Sequence, residues 1–114
     1  MPSQNIKKTA FVTGGSRGIG LAVARELGQA GYRLAILATR PENFYPESMK
    51  YLQEAEVTYH WFSGDIGSSE DRRRIVREVA ESLGEIHVLV NNAGLARKIR
   101  ADLLDMTEES YDYV

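Results

Sequence analysis

Thr9-Ala10-Phe11-Val12-Thr13-Gly14-Gly15-Ser16-Arg17-Gly18-Ile19-Gly20 is the stretch on which the reading of this chain turns. Its first five residues are apolar and partly β-branched, and a glycine cluster stops them, so they read as a short buried strand. Beyond the cluster, Ile19, Val23, Leu27 and Ala30 recur at helical spacing, with Gly31 placed to stop that helix. A strand, a glycine turn and a helix in this order aim unpaired backbone N–H groups and the positive end of a helix dipole at one spot. A pyrophosphate fits such a spot. Gly14 then permits the tight turn, Gly18 lets a ligand approach the backbone, and Gly20 lets the helix lie close on the strand. Three glycines alone are a weak signal, and their plain alternative is a flexible loop. The flanking strand and helix give them their meaning.

Working outward, the same alternation repeats. Residues 33–39 (RLAILAT) form a second apolar run, and Pro41 and Pro46 bracket a loop. Residues 47–56 read as a helix with Met49 and Leu52 facing inward. Residues 57–63 alternate with aromatics as a third strand. Residues 68–83 carry Ile75, Val76, Val79 and Leu83 on one helical face, with Gly84 as the stop, and residues 86–90 form a fourth strand. Thr107 reads as the N-cap of a further helix, with Glu108 and Glu109 in its first turn where the dipole favours anions. The order β-α-β-α-β-α-β plus the start of a helix predicts an α/β, Rossmann-type doubly wound parallel sheet, ordered 3-2-1-4, with helices on both faces.

At 114 residues, with 43% hydrophobic and 26% charged, the chain is one domain (1–114) or part of one. The formal net charge of −2 gives no general electrostatic case for nucleic acid. The run Arg72-Arg73-Arg74 is flanked by Glu70, Asp71, Glu78 and Glu81, and reads as a solvated helix face. Absence of cysteine removes disulfides, thiolate catalysis and cysteine-ligated metal, and fits a cytoplasmic setting. No stretch approaches the roughly 20 apolar residues that span a bilayer, and the first residues are too polar for a signal peptide. No partner of either kind, membrane or nucleic acid, is therefore expected. His60 and His87 sit within apolar strands and read as structural residues, so no metal site is expected.

Three motifs together carry a resemblance. The spacing T-G-x-x-x-G-x-G at Thr13–Gly20, Asp65-Ile66 after the third strand, and Asn91-Asn92-Ala93-Gly94 after the fourth stand in the order found in short-chain dehydrogenases/reductases. The resemblance covers the chain from Thr9 onward. It implies that Gly14, Gly15, Ser16, Arg17, Gly18, Ile19 and Gly20 surround the phosphates and adenosine ribose of a dinucleotide. It implies that Asp65 accepts from the adenine amino group, with Ile66 beside the ring. Asn92 would lie under the adenosine ribose, and Ala93 and Gly94 would line the way to the nicotinamide. The residues themselves leave alternatives open: Asp65 as a cap for the helix from Ser68, and Asn91-Asn92 as strand-end hydrogen bonding that supports the sheet.

The residue after the second strand sorts NAD from NADP. A carboxylate there accepts from the ribose 2′-hydroxyl and repels a 2′-phosphate. This chain has Thr39-Arg40, and Arg17 in the glycine loop is a second cation within reach of the same phosphate. Two guanidinium groups with the Thr39 hydroxyl make a phosphate clamp, favouring NADP(H) over NAD; Glu42 nearby weighs against. Two solvent-facing arginines are the alternative.

The family's chemistry uses a serine and Tyr-x-x-x-Lys, with an asparagine upstream. Tyr32, Tyr45, Tyr51 and Tyr59 are followed at that spacing by Ile36, Met49, Ala55 and Ser63, and Tyr111 and Tyr113 read as helix packing. No catalytic residue is assigned, and the 114 residues are expected to be inactive alone, as the N-terminal part of a longer protein. The resemblance implies an NADP(H)-dependent oxidoreductase reducing a carbonyl substrate, of the 3-oxoacyl-carrier-protein reductase type. Its partners would be a small carbonyl compound or an acyl carrier protein. An open fourth strand and an unpartnered last helix favour a homo-oligomer, a dimer or tetramer. The alternative is a non-catalytic dinucleotide-binding module or truncated gene product. A methyltransferase-like domain would need an acidic residue where Arg40 stands.

Overall fold

A computed structural model describes residues 8–15, 18–65 and 67–91, together with the backbone of 112–113. The elements are β1 (Thr9–Thr13), α1 (Gly18–Gln29), β2 (Arg33–Ala38), a single 3-10 turn (Glu42–Phe44), α2 (Pro46–Glu54), β3 (Tyr59–Ser63), α3 (Ser69–Leu83), β4 (Val88–Asn91) and β5 (Asp112–Tyr113). They build one sheet in the order β3-β2-β1-β4-β5. Every pairing is parallel: Phe11 lies opposite Ala35 and Leu89, and Ala35 opposite His60. The expected 3-2-1-4 order holds.

Central strands of such a sheet are covered on both faces, which is why β1 and β2 are apolar throughout instead of alternating. All five residues of β1 are buried. Successive side chains split between two cores. Phe11, Ala35, Leu37 and Leu89 point to α3, where Ile75, Val76, Val79 and Leu83 receive them. Ala10, Val12, Leu34, Ile36, Val88 and Val90 point the other way, toward Ala24 of α1 and Met49 and Leu52 of α2. Two crossovers run outward from β1 over one face, and the third returns beneath the sheet to the other side of β1. The strand order reverses between β1 and β4, and α/β sheets open a crevice at such a reversal.

Helix ends follow their sequence signals. Ser68 caps α3 by accepting from the Asp71 N–H at 3.2 Å, and the Gly84 N–H closes that helix on the Ala80 carbonyl at 2.9 Å. Pro46 opens α2, where a missing N–H costs nothing. Among the described residues no helix is long and apolar enough to cross a membrane.

Three local expectations are corrected. The helix expected from Thr107 does not run through Asp112 and Tyr113, which pair with Val88 and Leu89 as β5; Thr107, Glu108, Glu109 and Tyr111 lie outside the described residues. The fourth strand is therefore not the open edge expected from the sequence, because β5 takes up its backbone groups at Val88 and Leu89. The inward stripe of α1 holds at Val23 and Leu27, which pack against the core, but not at its ends: Gly20 and Ala24 are buried, whereas Ala30 is exposed and Ile19 is 76% exposed. A helix packing flat on a sheet presents its smallest side chains at the closest approach. Finally, the basic run of α3 is only partly a solvated face. Arg74 pairs with Glu78 at 3.1 Å, but Arg72 is buried.

Candidate functional site

Because all the strands are parallel, whatever follows β1, β2, β3 and β4 gathers at one rim of the sheet. Gly14 and Gly15 follow β1, Thr39 and Arg40 follow β2, Gly64 and Asp65 follow β3, and Asn91 closes β4. The rim therefore collects Gly14, Gly15, Gly18, Ile19, Gly20, Thr39, Arg40 and Asp65 of the expected site. Ser16, Arg17, Ile66, Asn92, Ala93 and Gly94 lie outside the described residues.

At the first junction, Gly14 continues the ladder by donating its N–H to the Leu37 carbonyl at 3.0 Å, then turns with φ +69°. Gly18 opens α1 at φ +63°, and a Cβ there would meet none of the described residues within 4 Å. Backbone conformation favours glycine at both positions, and among the described residues the space at Gly18 is open. Gly15 is favoured for a reason the sequence did not reveal. A Cβ there would stand 3.1 Å from Ile36 Cγ2 and Val12 Cγ1, so the turn lies pressed on the sheet. Gly20 is buried in the first turn of α1. Ile19 beside it presents a large apolar side chain to solvent, a feature that fits a ligand covering it.

Across the reversal, the Thr13 hydroxyl shares its one hydrogen between Asn91 Oδ1 at 3.2 Å and the Val90 carbonyl at 3.4 Å. Asn91 thus has the sheet-supporting role that the sequence left open.

At the β3 rim, Asp65 is exposed and held from three sides. Its N–H donates to Asp71 Oδ2 at 2.8 Å, its carbonyl accepts from the Ser68 N–H at 3.0 Å, and its Oδ1 accepts from the Gly67 N–H at 2.9 Å. Among the described residues Oδ2 has no partner. Asp65 therefore shapes the approach to α3, while Ser68 is the cap itself; one carboxylate oxygen stays open to a donor. Gly64 before it lets β3 meet α3, since a Cβ there would come within 2.6 Å of Ile75 Cδ1.

At the β2 rim, Thr39 and Arg40 are exposed. Thr39 Oγ1 stands 3.5 Å from the Tyr45 hydroxyl, and the Arg40 guanidinium carbon lies 5.2 Å from the Phe44 ring centroid. Among the described residues no carboxylate pairs with Arg40, Glu42 included. Sequence reasoning missed the aromatic neighbours of Arg40. Their only signal was the count of aromatics in 44–62. The two histidines stand apart from this rim. His60 is exposed on β3, and His87 Nδ1 accepts from the Thr9 N–H at 2.9 Å, at the opposite end of β1.

Comparison with known proteins bears on this arrangement. The family model of short chain dehydrogenase matches residues 8–114. Short-chain dehydrogenase/reductase 3 of Homo sapiens is 34% identical over 89 residues, covering 78% of this chain and 30% of that protein. The short-chain dehydrogenase/reductase homolog YusS of Bacillus subtilis is 30% identical over 104 residues, covering 91% of this chain and 95% of YusS. An actinorhodin polyketide ketoreductase solved with NADPH superimposes with a TM-score of 0.71 at 38% identity, covering 82% of this chain and 35% of that one. A 3-oxoacyl-[acyl-carrier protein] reductase from Brucella melitensis in complex with NAD gives 0.68 at 33% identity, covering 79% and 34%. YusS apart, the chain spans between about a third and under half the length of these and similar relatives. The glycine turn, the reversed strand order and the family match over residues 8–114 agree: this chain belongs to the short-chain dehydrogenase family of oxidoreductases.

Proposed function

We propose that the chain binds NADP(H) across the carboxyl rim of its sheet and serves as the cofactor-binding part of a carbonyl reductase. The observation that carries this reading is Arg40, an exposed cation at the end of β2 with no carboxylate paired to it among the described residues. In this reading Gly14, Gly15, Ser16, Arg17, Gly18, Ile19 and Gly20 enclose the phosphates and adenosine ribose. The open space at Gly18 and the bare Ile19 side chain fit a group of that size. The free oxygen of Asp65 fits the adenine amino donor, with Ile66 alongside, and Asn92, Ala93 and Gly94 continue toward the nicotinamide. Arg40, Thr39 and Arg17 meet the 2′-phosphate. A bound NADPH supplies hydride from its nicotinamide ring. The chain's own part is to hold the phosphates on backbone N–H groups and to choose the ribose substituent by charge. The ketoreductase and 3-oxoacyl reductase neighbours support a carbonyl substrate, either a small molecule or an acyl group on a carrier protein. They are solved with NADPH and with NAD, so the selection rests on the residues of this chain.

The test is Arg40→Asp, which removes a cation and places an anion beside a doubly negative group. Charge-assisted hydrogen bonds contribute roughly 1.5–3 kcal/mol each, so NADPH binding weakens about tenfold to a hundredfold, and more with repulsion added. NADH binding is spared or improves. Calorimetric dissociation constants for both cofactors, at one salt concentration because screening alters them, give the ratio. An unchanged ratio overturns the NADP assignment.

A further inference from the structure

The residues around Arg40 do more than fill space. Trp61, two residues before the end of β3, donates its indole Nε1–H to the Arg40 carbonyl at 2.9 Å. Its ring rests against Tyr45, with centroids 5.3 Å apart at 43°. The Tyr45 hydroxyl in turn stands within 3.5 Å of Thr39 Oγ1, closing a loop of contacts around residues 39–45. Pro41 follows with φ −60°, and a residue before proline is confined to extended backbone. Phe44 is 55% exposed, an unusual place for a phenyl ring, and its face lies under the Arg40 guanidinium. Arg40 is thus fixed at its carbonyl by Trp61, in its backbone by Pro41, and at its charged end by Phe44.

A free arginine carries large rotamer entropy, which is lost when it grips a phosphate. A cation–π platform and an anchored carbonyl remove part of that freedom in advance. We propose that Trp61 and Phe44 are positioning residues for cofactor selectivity, holding Arg40 in readiness for the 2′-phosphate. This rests on the NADP(H) reading above and names the residues that make it effective. The competing account is ordinary packing of β3 against the loop before α2. That account gives no reason for one cofactor to be affected more than the other.

The experiment compares NADPH and NADH dissociation constants by calorimetry in wild type, Trp61→Phe, Phe44→Leu, Arg40→Ala and the Arg40→Ala/Trp61→Phe pair. Trp61→Phe keeps a ring against Tyr45 and removes the donor. Phe44→Leu keeps apolar bulk and removes the π face. The expected result is a loss of NADPH affinity of about three- to tenfold in each, from the ordering cost of one long side chain, with NADH unchanged. In the Arg40→Ala background, Trp61→Phe adds nothing to the ratio. Equal losses for both cofactors, or no loss in either variant, overturn the positioning role while a collapsed ratio in Arg40→Ala leaves the NADP(H) reading standing. An unchanged ratio in Arg40→Ala overturns both.

Discussion

The two ends of the sheet are built on opposite principles. At the amino end, polar groups find partners within the chain, one guanidinium nitrogen excepted. The Thr9 N–H donates to His87 Nδ1 at 2.9 Å, and the His87 N–H returns a bond to the Thr9 carbonyl at 2.9 Å. Arg33 spans the same end, donating to Thr9 Oγ1 at 3.1 Å and to the Leu83 carbonyl at 2.9 Å. The His87 Nε2 lies 3.3 Å from Glu85 Oε1. Among the described residues, the one buried side-chain polar atom lacking a partner is Arg33 Nε. At the carboxyl end, among the described residues, the reverse holds: open space at Gly18, a bare Ile19, an Arg40 with no carboxylate beside it and an Asp65 oxygen with no donor. Satisfied hydrogen bonds stabilise the fold, and unsatisfied groups held by rigid strands are what a ligand can meet. The difference separates stability from recognition along one set of strands.

Substitutions at the two ends should therefore fail in different assays, and the largest effect is expected at the carboxyl end. Gly18→Val adds a β-branched side chain into the open space, at a φ that costs an L-residue about 1–2 kcal/mol. Blocking the approach of a diphosphate removes at least one charge-assisted backbone contact and displaces others, a loss on the order of a hundredfold in NADPH affinity. Melting should shift by only a few degrees. A variant that melts far lower yet still binds NADPH normally would break the division between the ends.

Arg33→Ala is the converse at the amino end. It removes two donated bonds, one of them to a carbonyl in the last turn of α3, and strips an aliphatic stem from the start of β2. Hydrogen bonds from charged donors contribute about 1.5–3 kcal/mol each; Arg33 is only half-buried, so a total of about 2–3 kcal/mol is expected. Denaturant unfolding measures it. Dissociation constants taken well below the melting temperature should match wild type for both cofactors. A selective loss of NADPH would mean that the amino end reaches the site.

Much of this was legible beforehand, for reasons particular residues make plain. TAFVT and RLAILA are apolar without alternation because both faces of β1 and β2 are covered, and that pattern alone places them in the middle of a parallel sheet. The glycine turn, Asp65 and Asn91 were legible because strand ends in such a sheet converge on one rim. Hidden features were those set by contacts between distant elements. Ile19 and Ala24 both suit a helical stripe, and only the closeness of α1 to the sheet selects Ala24. The preference for glycine at 15 depends on Val12 and on Ile36, a residue of the neighbouring strand. Trp61 reaches the Arg40 carbonyl across 21 residues of sequence, which no local period reports. Arg72 hid within a basic run whose other members, Arg73 and Arg74, are exposed or half-exposed.

The smallest effect expected is also the sharpest test of whether the amino end is free of functional strain. Glu56, in the turn from α2 to β3, has φ +56° and is the described residue other than glycine with a positive φ. Its N–H still closes the turn on the Gln53 carbonyl at 3.0 Å, and its side chain is exposed. The conformation costs a residue with a Cβ about 1–2 kcal/mol. Glycine relieves that cost but loses roughly 0.5–1 kcal/mol in backbone entropy. Glu56→Gly should therefore stabilise the fold by about 0.5–1 kcal/mol, read as a rise in the denaturation midpoint at unchanged slope. Strain kept for function would show itself differently, because relieving it would alter ligand affinity. Unchanged dissociation constants for NADPH and NADH, alongside the higher midpoint, would place Glu56 with the structural end of the sheet. A drop in NADPH affinity would instead tie this turn to Tyr59 and Trp61 on β3, and through Trp61 to Arg40, making β3 the one strand whose two ends are coupled.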